Sequence, residues 1–307
     1  VSEIRRIPVP EGLLGERADA GLVRLLGVSR TVAATLLDDG LVLLDGDVLS
    51  KGRRLGEGVL EIAMIDPRPQ PVEPAIVGGL RVVFEDDFLV VIDKPVGVAA
   101  HPSPGWAGPT VVGSLAAGGT TLAAAGPAER QGIVHRLDVG TSGLMVVAKS
   151  VDAYRGLKAA FKARTVDKVY HALAQGHVDP SVGTIDAPIG RHPTADYRYA
   201  VTSDGRPSVT HYSVKEMMPS SSLLEIHLET GRTHQIRVHM SAIHHPLVGD
   251  LTYGADPAQA ARLGLTRQWL HATRLGFKHP VTGRMIEVSS EYPTDLAEAL
   301  ERLKGEP

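Results

Sequence analysis

The stretch Gly132-Ile-Val-His-Arg-Leu-Asp138-Val-Gly-Thr-Ser-Gly-Leu144-Met-Val-Val-Ala-Lys149 is the densest in the chain. Its second half, Leu144 to Ala148, is an unbroken apolar run and predicts a buried strand. Its first half sets Asp138 close behind His135 and Arg136, in a run of turn-forming residues. Two readings of that half are open. In one, Asp138 caps the backbone N–H groups of a turn together with Thr141 and Ser142. In the other, it is a carboxylate kept ionised by neighbouring cations and available as a nucleophile. The run Gly140-Thr-Ser-Gly-Leu approaches a serine nucleophile elbow, but Leu144 stands where the elbow requires glycine.

Around this segment the pattern is rich in strands. Leu80 to Phe84, Leu89 to Ile92, Lys168 to Ala174, Thr210 to Val214 and Leu223 to Leu228 all suit strands. Helices suit Thr110 to Ala117, Asp152 to Arg164 with Asp152 as cap, and Thr233 to Ile243. Residues 116–128 and 175–208 read as Gly/Ala/Pro-rich loops. Strands and helices without regular alternation predict an α+β domain over 81–307, with a mixed, mainly antiparallel sheet. In front of it, prolines at 67, 69, 71 and 74 and the pair Gly78-Gly79 predict a linker over 66–80. Residues 1–65 then form a small module. It has helices at 17–26 and 29–38 (Ser29 as N-cap), a hairpin about Asp45-Gly46-Asp47, and a closing apolar run at 59–65.

Composition narrows the function. The 307 residues carry 32 Lys+Arg against 35 Asp+Glu, a net charge of −3, so bulk positive charge is not what would hold a nucleic acid. There is no cysteine, which excludes disulfides, cysteine-ligated zinc and a thiol nucleophile. No apolar run reaches membrane-spanning length and Val1 to Pro10 lacks a signal-peptide core, so the expected location is cytoplasmic. A valine at position 1 leaves the true start open. Neither a dinucleotide-binding glycine fingerprint nor a phosphate-loop Gly-Lys pair is present. His234, His239, His244 and His245 invite a metal reading. Residues five apart on a helix lie about 140° around the axis, so His234 and His239 would not chelate from one face. No metal or cofactor is expected.

Outside the central stretch stand Asp86-Asp-Phe-Leu-Val-Val-Ile-Asp-Lys94-Pro-Val-Gly-Val-Ala-Ala-His-Pro102, Lys168-Val-Tyr170, Leu228-Glu-Thr-Gly-Arg-Thr-His-Gln-Ile-Arg-Val-His239, Gly249-Asp-Leu-Thr-Tyr-Gly254 and Leu270-His-Ala272. With His-Arg-Leu-Asp and Thr-Ser-Gly-Leu, these resemble, in the same order, the motifs of the RluA/RluD-type pseudouridine synthases. The resemblance covers most of residues 80–290. Residues 17–63 resemble, more loosely, the S4 RNA-binding domain found in front of ribosomal members. Arg17-Ala-Asp19 and Leu44-Asp-Gly46 depart from the usual pattern there. With six basic and seven acidic residues, this stretch is also less basic than S4 domains generally are.

The resemblance implies an isomerase that turns uridine in RNA into its C-glycoside, without cofactor or metal. It implies Asp138 as the catalytic carboxylate, Arg232 as its paired arginine and Tyr170 as the stacking tyrosine. Arg136 would occupy space around the flipped nucleotide and His135 would support the loop. Leu228 and Ile236 would pack the pocket floor. Lys94 and Lys149 are not assigned to catalysis.

Residues 130–170 hold eight Lys/Arg and three Asp, a local net charge of +5. Within them Arg155, Lys158 and Lys162 share a helix face expected to contact phosphates. Structured RNA is the expected partner, large-subunit (23S) ribosomal RNA before tRNA, with a large-subunit precursor as the natural assembly. Neither membrane nor DNA is expected. Val139-Gly140 and Tyr197-Arg-Tyr199 depart from the family pattern and bear on substrate choice. The rival to an enzyme is a non-catalytic RNA-binding or ribosome-assembly factor on the same fold.

Overall fold

The structure, a computed structural model, describes residues 4–26, 30–63, 75–103, 106, 108–193 and 198–305. The chain forms two compact units, Val1–Pro71 and Val72–Pro307. Residues 66–74 of the expected linker, with Ser29 and Tyr197, lie outside the described residues.

The first unit contains β1 (Ile4–Pro8), α1 (Ala18–Leu26), α2 (Arg30–Asp38), β2 (Val42–Leu44), β3 (Asp47–Val48) and β4 (Val59–Ala63). The four strands make one sheet in the order β1-β4-β2-β3, with every pairing antiparallel. The hairpin turns on Asp45 and Gly46, both at positive φ, the geometry that matches strand twist in a two-residue loop. Leu22, Leu36, Leu49, Leu60 and Ile62 fill the core. β1 has no counterpart in the sequence reading. Its residues are exposed at all but one position, so no hydrophobic alternation marks it.

The second unit opens with β5 (Arg81–Glu85), β6 (Leu89–Lys94), α3 (Val111–Ala117), β7 (Ser142–Ala148), α4 (Val151–Ala163) and β8 (Asp167–Gln175). There follow β9 (Val182–Asp186), β10 (Ile189–Arg191), β11 (Tyr199–Val201), β12 (Val209–Met217) and β13 (Ser221–Leu228). The chain ends with α5 (Gln235–Ala242), α6 (Pro257–Leu263), β14 (Leu270–Lys278), β15 (Met285–Ser289) and α7 (Thr294–Lys304). Nine strands form one sheet in the order β5-β6-β7-β14-β8-β13-β12-β9, with β15 on the side of β14. All pairings are antiparallel except β7 with β14. β10 and β11 make a separate ribbon. This is the α+β architecture that the sequence predicts.

Three details differ from expectation. Ser150, not Asp152, caps α4, accepting from the Ala153 N–H at 3.2 Å. Asp152 sits in the first turn, where a negative charge suits the helix dipole. The helix expected from Thr233 begins at Gln235, because His234 takes a left-handed conformation at φ 55°. Residues 175–208, read as loops, hold three short strands whose Gly and Pro content hides them.

The central strand β7 is buried at all seven positions, as its apolar run requires. It meets β14 only at Ser142 with His271 and Gly143 with Ala272. Gly143 has φ 114°, and a Cβ there would lie 2.3 Å from the Ala272 carbonyl oxygen. Only glycine allows that approach.

Candidate active site

The loop between Gly132 and Thr141 enters β7 on one face of the sheet. Tyr170 on β8 lies beside it, paired with Ile226 of β13. Leu228 ends β13, and α5 then brings Ile236 and Arg237 against the same region. Together they enclose a cleft of about 990 Å³ lined by Asp138, Tyr170, Leu228, Ile236 and Arg237. The sequence-predicted Asp138, Tyr170, Leu228 and Ile236 are therefore brought together.

The Asp138 loop is fixed from several sides. Thr141 N–H donates to Asp138 O at 3.0 Å, closing a turn, and Gly97 N–H donates to Val139 O at 2.9 Å. Gly97 belongs to a turn organised by Lys94, a fully buried lysine whose Nζ donates to Pro95 O and Val98 O, both at 2.9 Å. Burial lowers the Lys94 pKa to about 7, with the Asp138 charge acting in the opposite sense. Arg267 donates to Gly140 O at 3.1 Å while its other nitrogens grip Asp295. Gln268 donates to Thr141 Oγ1. Ser142 Oγ lies 2.9 Å from His271 Nδ1.

His135 holds the loop from below. Its Nε2 accepts from Val146 N–H at 3.0 Å, and its ring stacks on Phe161 with centroids 4.6 Å apart. Burial pushes its pKa down to about 3, so the ring is neutral and acts as an acceptor. Arg136 is exposed at the rim of the cleft.

The arginine beside Asp138 is Arg237, not Arg232. Arg237 Nη1 lies 3.6 Å from Asp138 Oδ2. Its Nε and Nη2 hold Asp250 at 2.6 and 2.9 Å, and its guanidinium carbon stands 4.8 Å from the Tyr253 ring centroid. Burial weakens the Arg237 charge, but Asp250 and Asp138 outweigh it and raise the pKa. Arg232 lines the cleft, but its Nε donates to Pro207 O at 3.2 Å. Arg232 precedes the helix, whereas Arg237 lies inside α5, which aims it at the carboxylate.

The segment 228–239 is organised by Gln235. Its Oε1 accepts from Thr230 Oγ1 and from Arg232 N–H, and its Nε2 donates to Val209 O and Thr210 Oγ1. His239 sits between Thr210 Oγ1 and Ala187 O. Two residues of the metal reading are thus placed: His239 is a buried structural histidine, and His234 faces the cleft. Among the described residues no group of three or more His, Asp or Glu could hold a metal ion.

Tyr170 is buried, and burial followed by the Asp138 charge raises its pKa, so it is a phenol at neutral pH. Lys158, Lys162, Arg164 and Lys168 line the mouth of the cleft, while Arg155 is exposed outside it. The facing acidic residue, Glu229, is occupied by Arg164 and His211. Lys149 pairs with Glu85 and stands apart from the cleft.

The sequence reading did not assign Arg237, Asp250 or Tyr253 to the site, and weighed His234 only as a metal ligand. All four lie within quoted motifs, but with His234 outside the helix no helical spacing singles them out.

A family model described as RNA pseudouridylate synthase matches residues 88–242, which carry Asp138, Tyr170 and Arg237. The chain belongs to that family. A Mycobacterium bovis relative called an uncharacterized RNA pseudouridine synthase is 57% identical over 304 residues, 98% of this chain and 99% of its own. Ribosomal large subunit pseudouridine synthase D of Xanthomonas campestris is 40% identical, covering 99% of this chain and 93% of its own. The solved structure of human RNA pseudouridylate synthase domain containing 1 covers 76% of this chain and 98% of its own, with TM-score 0.58 and 29% identity. The chain is an RNA pseudouridine synthase, an isomerase.

Proposed function

We propose that this synthase isomerises uridines of large-subunit ribosomal RNA, with Asp138 as the catalytic carboxylate. The observation that carries the catalytic assignment is Asp138 beside Arg237 in a cleft walled by Tyr170. The N1–C1′ bond of the target uridine breaks, C5 bonds to C1′, the C5 proton leaves and N1 gains one. Nothing is oxidised or added. A base within folded RNA must leave its stack to reach such a site. Tyr170 offers the flat surface on which it rests, with Leu228 and Ile236 beneath. Arg237 sets the rotamer of the carboxylate and balances its charge. Arg136, exposed at the rim, is assigned to fill the space the flipped nucleotide vacates. The ribosomal assignment rests on the name of the Xanthomonas relative.

The first unit is read as an S4-like RNA-binding module and the work is placed in the cytoplasm. In this module Arg6, Arg17, Arg24 and Lys51 are each paired with an acidic side chain. That pairing offsets part of the module's positive charge.

Tritium release from C5-labelled uridine in ribosomal RNA tests the reading, with Asp138→Asn as the control. Wild type should release tritium and the variant should not. Release from tRNA with silence on ribosomal RNA would overturn the substrate assignment. An active Asp138→Asn would overturn the catalytic one.

A further inference from the structure

His234, which lines the cleft, takes a left-handed backbone conformation, φ 55° and ψ 22°, at the N-cap of α5. Such a conformation is costly for a residue with a Cβ and persists where the surroundings over-determine it. Its side chain makes no capping bond to the helix. Instead it spans two groups. Nδ1 lies 2.8 Å from the Tyr253 hydroxyl, and Nε2 lies 3.9 Å from Asp138 Oδ2. The rings of Tyr253 and Tyr199 meet it edge-on from two sides.

The protons on this chain can be assigned by their partners. The Tyr253 oxygen accepts the Tyr199 backbone N–H at 3.1 Å. Tyr253 is 6% exposed, and among the described residues the recorded acceptor for its own proton is His234 Nδ1. A buried hydroxyl that finds no acceptor is costly, so the phenol donates to Nδ1. The imidazole proton is then on Nε2, the nitrogen facing Asp138.

We propose that His234 is a positioning residue for the isomerisation: Tyr253 fixes its proton on Nε2, and that N–H, facing the same Asp138 Oδ2 as Arg237, orients the carboxylate. The proposal rests on the reading of Asp138 as the catalytic group. Contacts of this kind are often long in an empty site and shorten when substrate closes it. The charged and titratable groups facing His234 are Arg136 and Asp138 on the loop before β7, Tyr199 on β11, Arg237 on α5, and Asp250 with Tyr253 after it. Burial is the largest influence on His234 and favours its neutral form, against the opposing pull of Asp138. The Tyr253 side of the device belongs to Gly249-Asp-Leu-Thr-Tyr-Gly254, where Asp250 holds Arg237 and Tyr253 holds His234. One short motif thus sets both partners of Asp138.

The test has a spectroscopic arm that needs no RNA. In wild type labelled with ¹⁵N-histidine, the His234 Nδ1 should be of the unprotonated type and Nε2 of the protonated type at neutral pH. Tyr253→Phe keeps the ring under Arg237 and should release the lock, giving mixed tautomers. In tritium release the same variant should lose up to about tenfold in kcat with KM little changed, the scale of one lost hydrogen bond. His234→Gln, whose amide reaches the Nε2 position, should retain more kcat than His234→Asn, which tolerates the left-handed backbone but falls short of Asp138. A proton on Nδ1 in wild type, or wild-type kcat in Tyr253→Phe, or Asn equalling Gln, would overturn the proposal with Asp138 still catalytic. An active Asp138→Asn would instead remove the reading on which it rests.

Discussion

The Arg237 guanidinium bridges two carboxylates, gripping Asp250 through two nitrogens and standing 3.6 Å from Asp138 through the third. Asp250 is the anchor and Asp138 the group that is oriented, because the shorter contacts are with Asp250. Arg237→Lys keeps the charge but cannot reproduce the planar fork. It should lower kcat by about a hundredfold, in the range seen when a preorganised charge contact is lost. Arg232→Met, whose recorded bond is to Pro207 O, should act mainly on KM and leave kcat within about threefold. Single-turnover tritium release on both variants checks this, and the reverse order of effects would restore Arg232 as the partner.

Lys158 and Lys162 line the mouth of the cleft, and Arg155, one turn earlier, does not. Removing each phosphate-contacting cation should flatten the slope of log K against log salt by about 1. The double variant Lys158→Gln/Lys162→Gln is therefore expected to bind RNA more weakly and lose about 2 from the slope. Arg155→Gln should change it less. Filter binding over a salt series measures all three, and an unchanged slope in the double variant would place the RNA elsewhere.

Gly143→Ala forces a Cβ to within 2.3 Å of a carbonyl oxygen at a φ of 114°. Neither strand can retreat without breaking the link between β7 and β14. The substitution should cost more than about 2 kcal/mol of stability. Urea unfolding of the full chain would show this as a lower midpoint, and a shift within error would contradict it.

Acid should weaken the fold through buried histidines. Burial lowers the pKa of His135 to about 3 and those of His101 and His271 to about 4, from 6.5 in the unfolded chain. As pH falls below 6.5 the unfolded chain takes up these protons first, so stability declines until the folded values are reached. Each group contributes at most about 1.4 kcal/mol per pH unit in that window. His135→Gln, whose side-chain oxygen still accepts from Val146 N–H, should remove one share of the slope. Urea unfolding at pH 7 and pH 4.5 tests it; an unchanged difference between wild type and variant would sink the assignment.

The convergence of Asp138 and Tyr170 on one cleft was legible, because each stands in or next to an apolar run that announces a strand, β7 after Asp138 and β8 around Tyr170. The partner arginine was not legible, because Arg232 and Arg237 lie five residues apart in one motif. What separates them is the place where the helix begins, and that depends on a left-handed histidine no propensity would assign. Strands β10 and β11 escaped for a related reason: they are short, and Gly190 and the prolines around them mask any alternation. β14 was visible only as Leu270-His-Ala272, since its burial comes from both flanking strands rather than from one apolar face.

The parallel junction of β7 with β14 also has a consequence for how the molecule is made. The loop bearing Asp138 is stitched to residues 267–272, and Arg267 is tied in turn to Asp295 on the last helix. During synthesis, residues 132–149 leave the ribosome long before these partners exist. The loop bearing Asp138 therefore lacks these contacts until residues 267–295 have emerged, and such distant pairing is slow to form. A fragment ending before residue 267 would carry Asp138 without the contacts that hold its loop.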